Sequence, residues 1–146
     1  MSERNPSHMA AEGMVALCGR FGIATLYAFG SRGREALEWK HGRVGGMPGE
    51  SDVDVGVRPE SAQAWTLDDK VRMAIALEDL MGCRRVDLVV LPEADPFVAA
   101  EIIRGERLYA QDEYAADEYD LYVLRRAGDL IPLERERLNL LLRNET

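Results

Sequence analysis

From Asp52 to Val57 the chain alternates acid, valine, acid, valine, glycine, valine. Strict alternation predicts a β-strand, because successive side chains leave a strand on opposite faces. One face carries Val53, Val55 and Val57 and needs a core to cover it. The other carries Asp52 and Asp54, then Gly56 with no side chain. Two carboxylates on one face repel, and each raises the other's pKa unless something neutralises them. A divalent cation with a preference for hard oxygen ligands is the usual neutraliser. The competing reading is a solvated strand face with Asp52 starting a turn.

The rest of the chain reads as helices and strands around this segment. Asn5-Pro6 is an N-cap and N1 pair, and Met14, Leu17, Cys18 and Phe21 then recur at helical spacing. A first strand spans 25–29. A helix runs from Ser31 to about Trp39, and a loop rich in glycine occupies 38–50. After the Val53–Val57 strand, Thr66 and Asp69 form a capping box. Leu67, Val71, Ala74, Ile75 and Met81 are expected on one helical face, with Gly82 closing the helix. A third strand covers 85–91, a short helix 97–104, and a short fourth strand 108–110. Two helices, 112–126 and 133–143, are expected in the tail, separated by Gly128 and Pro132. Residues 1–8 are expected to be flexible. The expected fold class is α+β, a small mixed β-sheet packed by helices, in a single domain over 1–146.

Composition narrows the function. The net charge is −8, from 26 acidic and 18 basic residues. Such a surface repels phosphate backbones, which argues against general nucleic-acid binding and leaves room for a small anionic ligand in a local positive pocket. The first residues lack the apolar stretch of a secretory signal, and no run approaches the ~18 residues of a membrane helix. A cytoplasmic protein is expected, with Cys18 and Cys83 as reduced, buried thiols.

A third acid completes a constellation. Arg85-Val86-Asp87-Leu88-Val89-Val90-Leu91 is apolar except at Asp87 beyond its first residue, so it reads as a strand buried on both faces. A carboxylate there needs a partner: Arg84 or Arg85, or a cation shared with Asp52 and Asp54 if the strands are neighbours. Three such acids could surround one or two Mg²⁺ ions, and two ions ~4 Å apart serve in-line displacement at phosphorus. Upstream, Gly30-Ser31 ends a strand and opens a helix. Glycine admits close backbone approach, and free N–H groups at a helix start attract anions. Arg32 and Arg34 follow within one turn and could neutralise phosphate charge, although Arg32 also reads as a surface residue.

In this order, Gly30-Ser31-Arg32-Gly33-Arg34, Ser51-Asp52-Val53-Asp54 and Val86-Asp87-Leu88 resemble the DNA polymerase β-type nucleotidyltransferase superfamily. Within it they are most similar to the minimal nucleotidyltransferase (MNT) family, over about residues 10–142. Gly105-Glu106-Arg107-Leu108-Tyr109-Ala110 resembles that family's tail. The resemblance implies the polymerase β-like fold and Mg²⁺-dependent transfer of AMP from ATP to a hydroxyl of a protein partner. Asp52, Asp54 and Asp87 would be catalytic and metal-binding, and Gly30, Ser31 and Arg34 would bind phosphate. It further implies an antitoxin paired with a HEPN-type toxin. Alternatives are a non-catalytic antitoxin acting by contact, or a nucleotidyltransferase acting on an antibiotic-like small molecule.

Two features depart from the family pattern. Twenty residues, Arg32 to Ser51, separate the serine from the first aspartate, more than the family usually has, which predicts a mobile loop that either serves as a lid or substrate guide or is merely tolerated. Glu35 stands where the family often has glycine, and a free carboxylate there would oppose a triphosphate. His8 and His41 read as surface residues. Tyr109, Tyr114, Tyr119 and Tyr122 read as helix packing. Leu138, Leu140, Leu141 and Leu142 exceed what one helix face needs, so they offer core docking, a partner surface or a homodimer contact.

Overall fold

The computed structural model describes residues 6–143, with side chains from His8 onward except those of residues 132–134. The expected cap at Asn5 and most of the expected flexible start lie outside the described residues. From Pro6 the chain is helical. The elements are α1 (Pro6–Phe21), β1 (Ile23–Phe29), a 3₁₀ turn (Gly30–Arg32), α2 (Gly33–Lys40), β2 (Val53–Pro59), α3 (Leu67–Met81), β3 (Val86–Val90), a second 3₁₀ turn (Leu91–Glu93), α4 (Pro96–Ile103), β4 (Glu106–Ala110) and α5 (Glu113–Arg143).

The four strands form one mixed sheet in the order β3-β2-β1-β4. β1 is antiparallel to both β2 and β4, and β2 is parallel to β3. Val53, Val55 and Val57 are fully buried. They pack with Leu26, Ala28, Met14, Leu17, Trp39, Met73 and Leu77, which places α1, α2 and α3 over this face. The opposite face is covered by α4 and α5, through Tyr27, Ile102, Val123 and Ala127. Gly56 lies under α4, where a Cβ would collide with Ile102, so the absence of a side chain lets that helix close on β2. Asp52 and Asp54 lie on this same face, before α4 covers it.

α3 starts at the expected capping box: Thr66 Oγ1 accepts from Asp69 N–H at 3.1 Å, and Asp69 accepts from Thr66 N–H at 2.9 Å. Its buried face differs from the expected one. Met73, Leu77 and Met81 are buried, whereas Leu67, Val71 and Ile75 are exposed. Both sets repeat every four residues, and the face that α1 and the sheet cover decides between them. β3 is an edge strand rather than one buried on both faces, so Asp87 is exposed.

The tail is one helix of 31 residues, not two. Gly128 costs a helix about 1 kcal/mol and Pro132 forfeits one N–H···O bond. The Leu-, Glu- and Arg-rich surroundings favour helix and carry it through both positions. Among the described residues, no helix is long and apolar enough to cross a membrane. Cys18 and Cys83 are free and buried, as expected.

Candidate active site

Strand directions bring three distant segments to one edge of the sheet. β1 ends where its antiparallel neighbour β2 begins, and β3 begins beside β2 because it is parallel. In register, Phe29 is opposite Asp54, and Asp54 is opposite Asp87. The 3₁₀ turn follows Phe29 directly. Gly30 has φ 72°, in the left-handed region, and a Cβ there would sit 2.5 Å from Asp54 Oδ2. Both the conformation and the close approach require glycine. Ser31 and Arg34 are exposed beside it.

The three acids differ in environment. Asp52 and Asp54 are half-buried and Asp87 is exposed. Burial, then the negative charges of Asp87 and Asp52, raise the Asp54 carboxyl above its ordinary pKa. No internal cation relieves this. Arg85 Nε stands 3.9 Å from Asp52 on the exposed surface, and Arg84 points toward Glu50 at 3.9 Å. Such long, exposed pairs contribute little. The ion pair of Asp87 with Arg84 or Arg85 therefore does not form.

Among the described residues, no three His, Cys, Asp or Glu side chains form a ready-made metal cage. The donor chemistry nevertheless suits Mg²⁺. That ion takes one or two carboxylates, keeps water, and completes its shell from substrate phosphates. Asp54, desolvated and repelled by two neighbours, is the group such a charge would stabilise most.

Arg32 is not the expected surface residue. It is 7 % exposed and spans the base of the long loop. Its Nε and Nη2 donate to Glu35 at 2.9 and 2.7 Å, Nη1 to Ser51 O at 2.9 Å, and Nη2 to Pro48 O at 2.8 Å. The guanidinium holds the Glu35 carboxyl below its usual pKa. Glu35 is thereby neutralised, and its charge does not oppose an anionic ligand as a free carboxylate would. The loop, expected to be mobile, is tied at a second point. Met47 is fully buried and its N–H donates to Met81 O at 2.9 Å. The only advance signal for the Arg32 clamp was its i,i+3 spacing from Glu35.

A second acidic group lies where α5 starts. Arg107 on β4 pairs with Glu113 at 2.8 Å, Asp117 at 2.9 Å and Asp120 at 2.7 Å. Tyr27 O–H donates to Asp120 at 2.5 Å, joining β1 to the same network. Sequence reading assigned Arg107 no such role. Elsewhere, His8 and His41 are exposed as expected. Tyr119 packs against Tyr122 and lies under Arg58, while Tyr114 is 73 % exposed and so does no packing. Hollows of about 380 and 410 Å³ flank Trp65 at the far end of the sheet, and neither is lined by the three aspartates.

No curated protein matches the chain in sequence. Solved structures do match in fold. One is the complex of tri-AMPylated Shewanella oneidensis HEPN toxin with MNT antitoxin (14 % identity, 93 % of this chain and 98 % of that chain, TM-score 0.65). The toxin–antitoxin MntA-HepT follows (14 % identity, 92 % and 98 % coverage, TM-score 0.64). A toxin–antitoxin with AMP-PNP is similar at 16 % identity (93 % and 98 % coverage, TM-score 0.62). At such identities the likeness establishes the polymerase β-like fold. The family model described as Polymerase beta, Nucleotidyltransferase matches residues 16–114, most of the chain and the whole stretch from Gly30-Ser31 through Asp52 and Asp54 to Asp87. The chain belongs to that nucleotidyltransferase family.

Proposed function

We propose that the chain transfers AMP from ATP to a hydroxyl of a protein partner, and that this partner is a HEPN-type toxin which the chain neutralises as its antitoxin. The observation that carries the reading is the meeting of Gly30, Asp54 and Asp87 at one edge of the sheet, with Asp54 repelled and uncompensated. Neutralisation of Glu35 by Arg32 supports it, because Glu35 then does not oppose a triphosphate as a free carboxylate would. The relatives solved with an AMPylated toxin and with AMP-PNP point the same way for substrate and partner.

In this reading Asp52 and Asp54 hold Mg²⁺, with Asp87 at its border. When bound, that ion neutralises charge building on the phosphates. The backbone at Gly30, the Ser31 hydroxyl and Arg34 grip the triphosphate. The acceptor hydroxyl attacks the α-phosphorus, its proton passes to Asp87, and the bond to pyrophosphate breaks on the opposite side. The buried Arg32 clamp fixes the start of β2, which sets where Asp52 and Asp54 point. Residues 1–146 serve as one catalytic domain.

The test incubates the chain with ATP labelled on the α-phosphate, Mg²⁺ and the product of the adjacent gene. Label is expected on the partner, and it is lost with Asp52→Asn or Asp54→Asn. Neutralisation that survives both substitutions, with no label transferred, overturns the reading in favour of inhibition by contact.

A further inference from the structure

Arg58 is a half-buried cation without an anion. It stands near the end of β2, on the face that Asp54 and Gly56 share, with its Cζ 4.3 Å from the centre of the Tyr119 ring. Among the described residues no oxygen accepts a hydrogen bond from it and no carboxylate pairs with it, unlike Arg32 and Arg107. Its Nε is sealed from solvent with no acceptor. Thr25, opposite it on β1, supplies none, and that buried hydroxyl is itself unpartnered. A buried donor without an acceptor is costly. Stacking on Tyr119 uses a face of the guanidinium and leaves the in-plane N–H groups of its terminal Nη atoms for an acceptor from outside.

Arg58 lines the hollow of about 410 Å³ beside Trp65, at the opposite end of β2 from Asp52 and Asp54. That volume falls in the range of small-molecule sites. Pro59, Ala64, Trp65, Val90 and Pro92 give it apolar walls. Trp65 is half-buried and tilted 45° to Phe21, so Phe21 does not stack on its ring face. Two carboxylates border the hollow, and neither serves Arg58. Glu93 is held by Lys70 at 2.8 Å, and Glu60 turns toward Gly22, just before β1. Beside these charges, in a chain of net charge −8, one guanidinium suits a monoanion better than a phosphate dianion. A carboxylate is planar and offers two oxygens to the two Nη atoms. The apolar walls and the indole suit a flat ring.

We propose that this hollow binds a small aromatic carboxylate, whose oxygens meet the terminal nitrogens of Arg58 and whose ring lies against Trp65. The site does not depend on the catalytic reading, and its test contains neither nucleotide nor Mg²⁺.

Titration of the full chain with 2-naphthoate, followed by NMR, reads the site directly. The chain has two tryptophans, and Trp39 is buried away from this hollow. The indole N–H signal of Trp65, assigned with Trp65→Phe, is expected to shift while that of Trp39 stays. Calorimetry is expected to show 2-naphthoate binding at least about tenfold tighter than its neutral amide, 2-naphthamide, and than acetate, which has the charge without the ring. Arg58→Gln is expected to weaken 2-naphthoate binding by at least the same factor with unchanged circular dichroism. No shift at Trp65, equal binding of acid and amide, equal binding of acetate, or full binding by folded Arg58→Gln overturns the proposal. Should Arg58→Gln fail to fold, the contrast of acid and amide on wild type decides alone.

Discussion

Two acidic clusters lie on this small fold, and they behave oppositely. Around Arg107, Glu113, Asp117 and Asp120 each meet the same guanidinium, with Tyr27 hydrogen-bonded to Asp120. At the sheet edge, Asp52, Asp54 and Asp87 share one neighbourhood with no such cation, and Asp54 is pushed up by burial and by the other two. The first cluster is satisfied from within and ties α5 and β4 to β1. The second has no such counter-charge, and the proposed cation would supply it. Carboxylate clustering alone therefore does not mark a site; clustering without an internal counter-charge does.

The comparison breaks most sharply under mutation. Asp54→Asn should lower AMP transfer by about 10²–10³-fold or more while leaving thermal stability equal or higher, because a repelled charge is removed. Transfer rates and melting curves on one preparation check both halves. Arg107→Ala should do the reverse. It strands Asp120 and loosens Tyr27, costing about 2–3 kcal/mol in denaturant melts, with transfer per folded molecule unchanged. If Arg107→Ala left stability intact, the inner cluster would not be structural.

Smaller effects sharpen the contrast. Arg32→Lys keeps a charge and loses the fork that spans Glu35, Ser51 O and Pro48 O. About 1–2 kcal/mol of stability should go, and KM for ATP should rise more than kcat falls, since Glu35 is released beside the phosphate site. Steady-state kinetics separate the two. The smallest effect is in pH. The Asp54 pKa is raised on folding, so its penalty is full above that raised value and vanishes below the ordinary carboxylate range. The gain in melting temperature from Asp54→Asn should accordingly be present at neutral pH and disappear on acidification. A gain that grew as pH fell would contradict the assignment.

Much of this contrast was readable beforehand on one side only. The Asp52–Val57 alternation predicts both the buried valine face and the acids on the opposite face, because a strand has a single periodicity and β2 obeys it. Asp87 could join them only if the strands were neighbours, which the β2–β3 pairing supplies; its exposure was missed, because a central strand and an edge strand can carry the same apolar run and only topology tells them apart. On α3, Leu67-Val71-Ile75 and Met73-Leu77-Met81 repeat equally well, so the covered face could not be chosen without α1. Pro132 predicted a break that the surrounding helix formers override. Arg32 and Arg107 were opaque for one reason. Arg32 reaches Pro48 and Ser51, and Arg107 reaches Tyr27 through Asp120, over sequence separations that periodicity does not reach.

The central claim is that the sheet-edge acids await an external cation and a nucleotide. Calorimetry of ATP binding, with and without Mg²⁺, on wild type and on Asp54→Asn tests it directly. Wild type should bind ATP only when Mg²⁺ is present, and Asp54→Asn should not bind under either condition. Equal binding with and without Mg²⁺, or full binding by Asp54→Asn, would contradict the account.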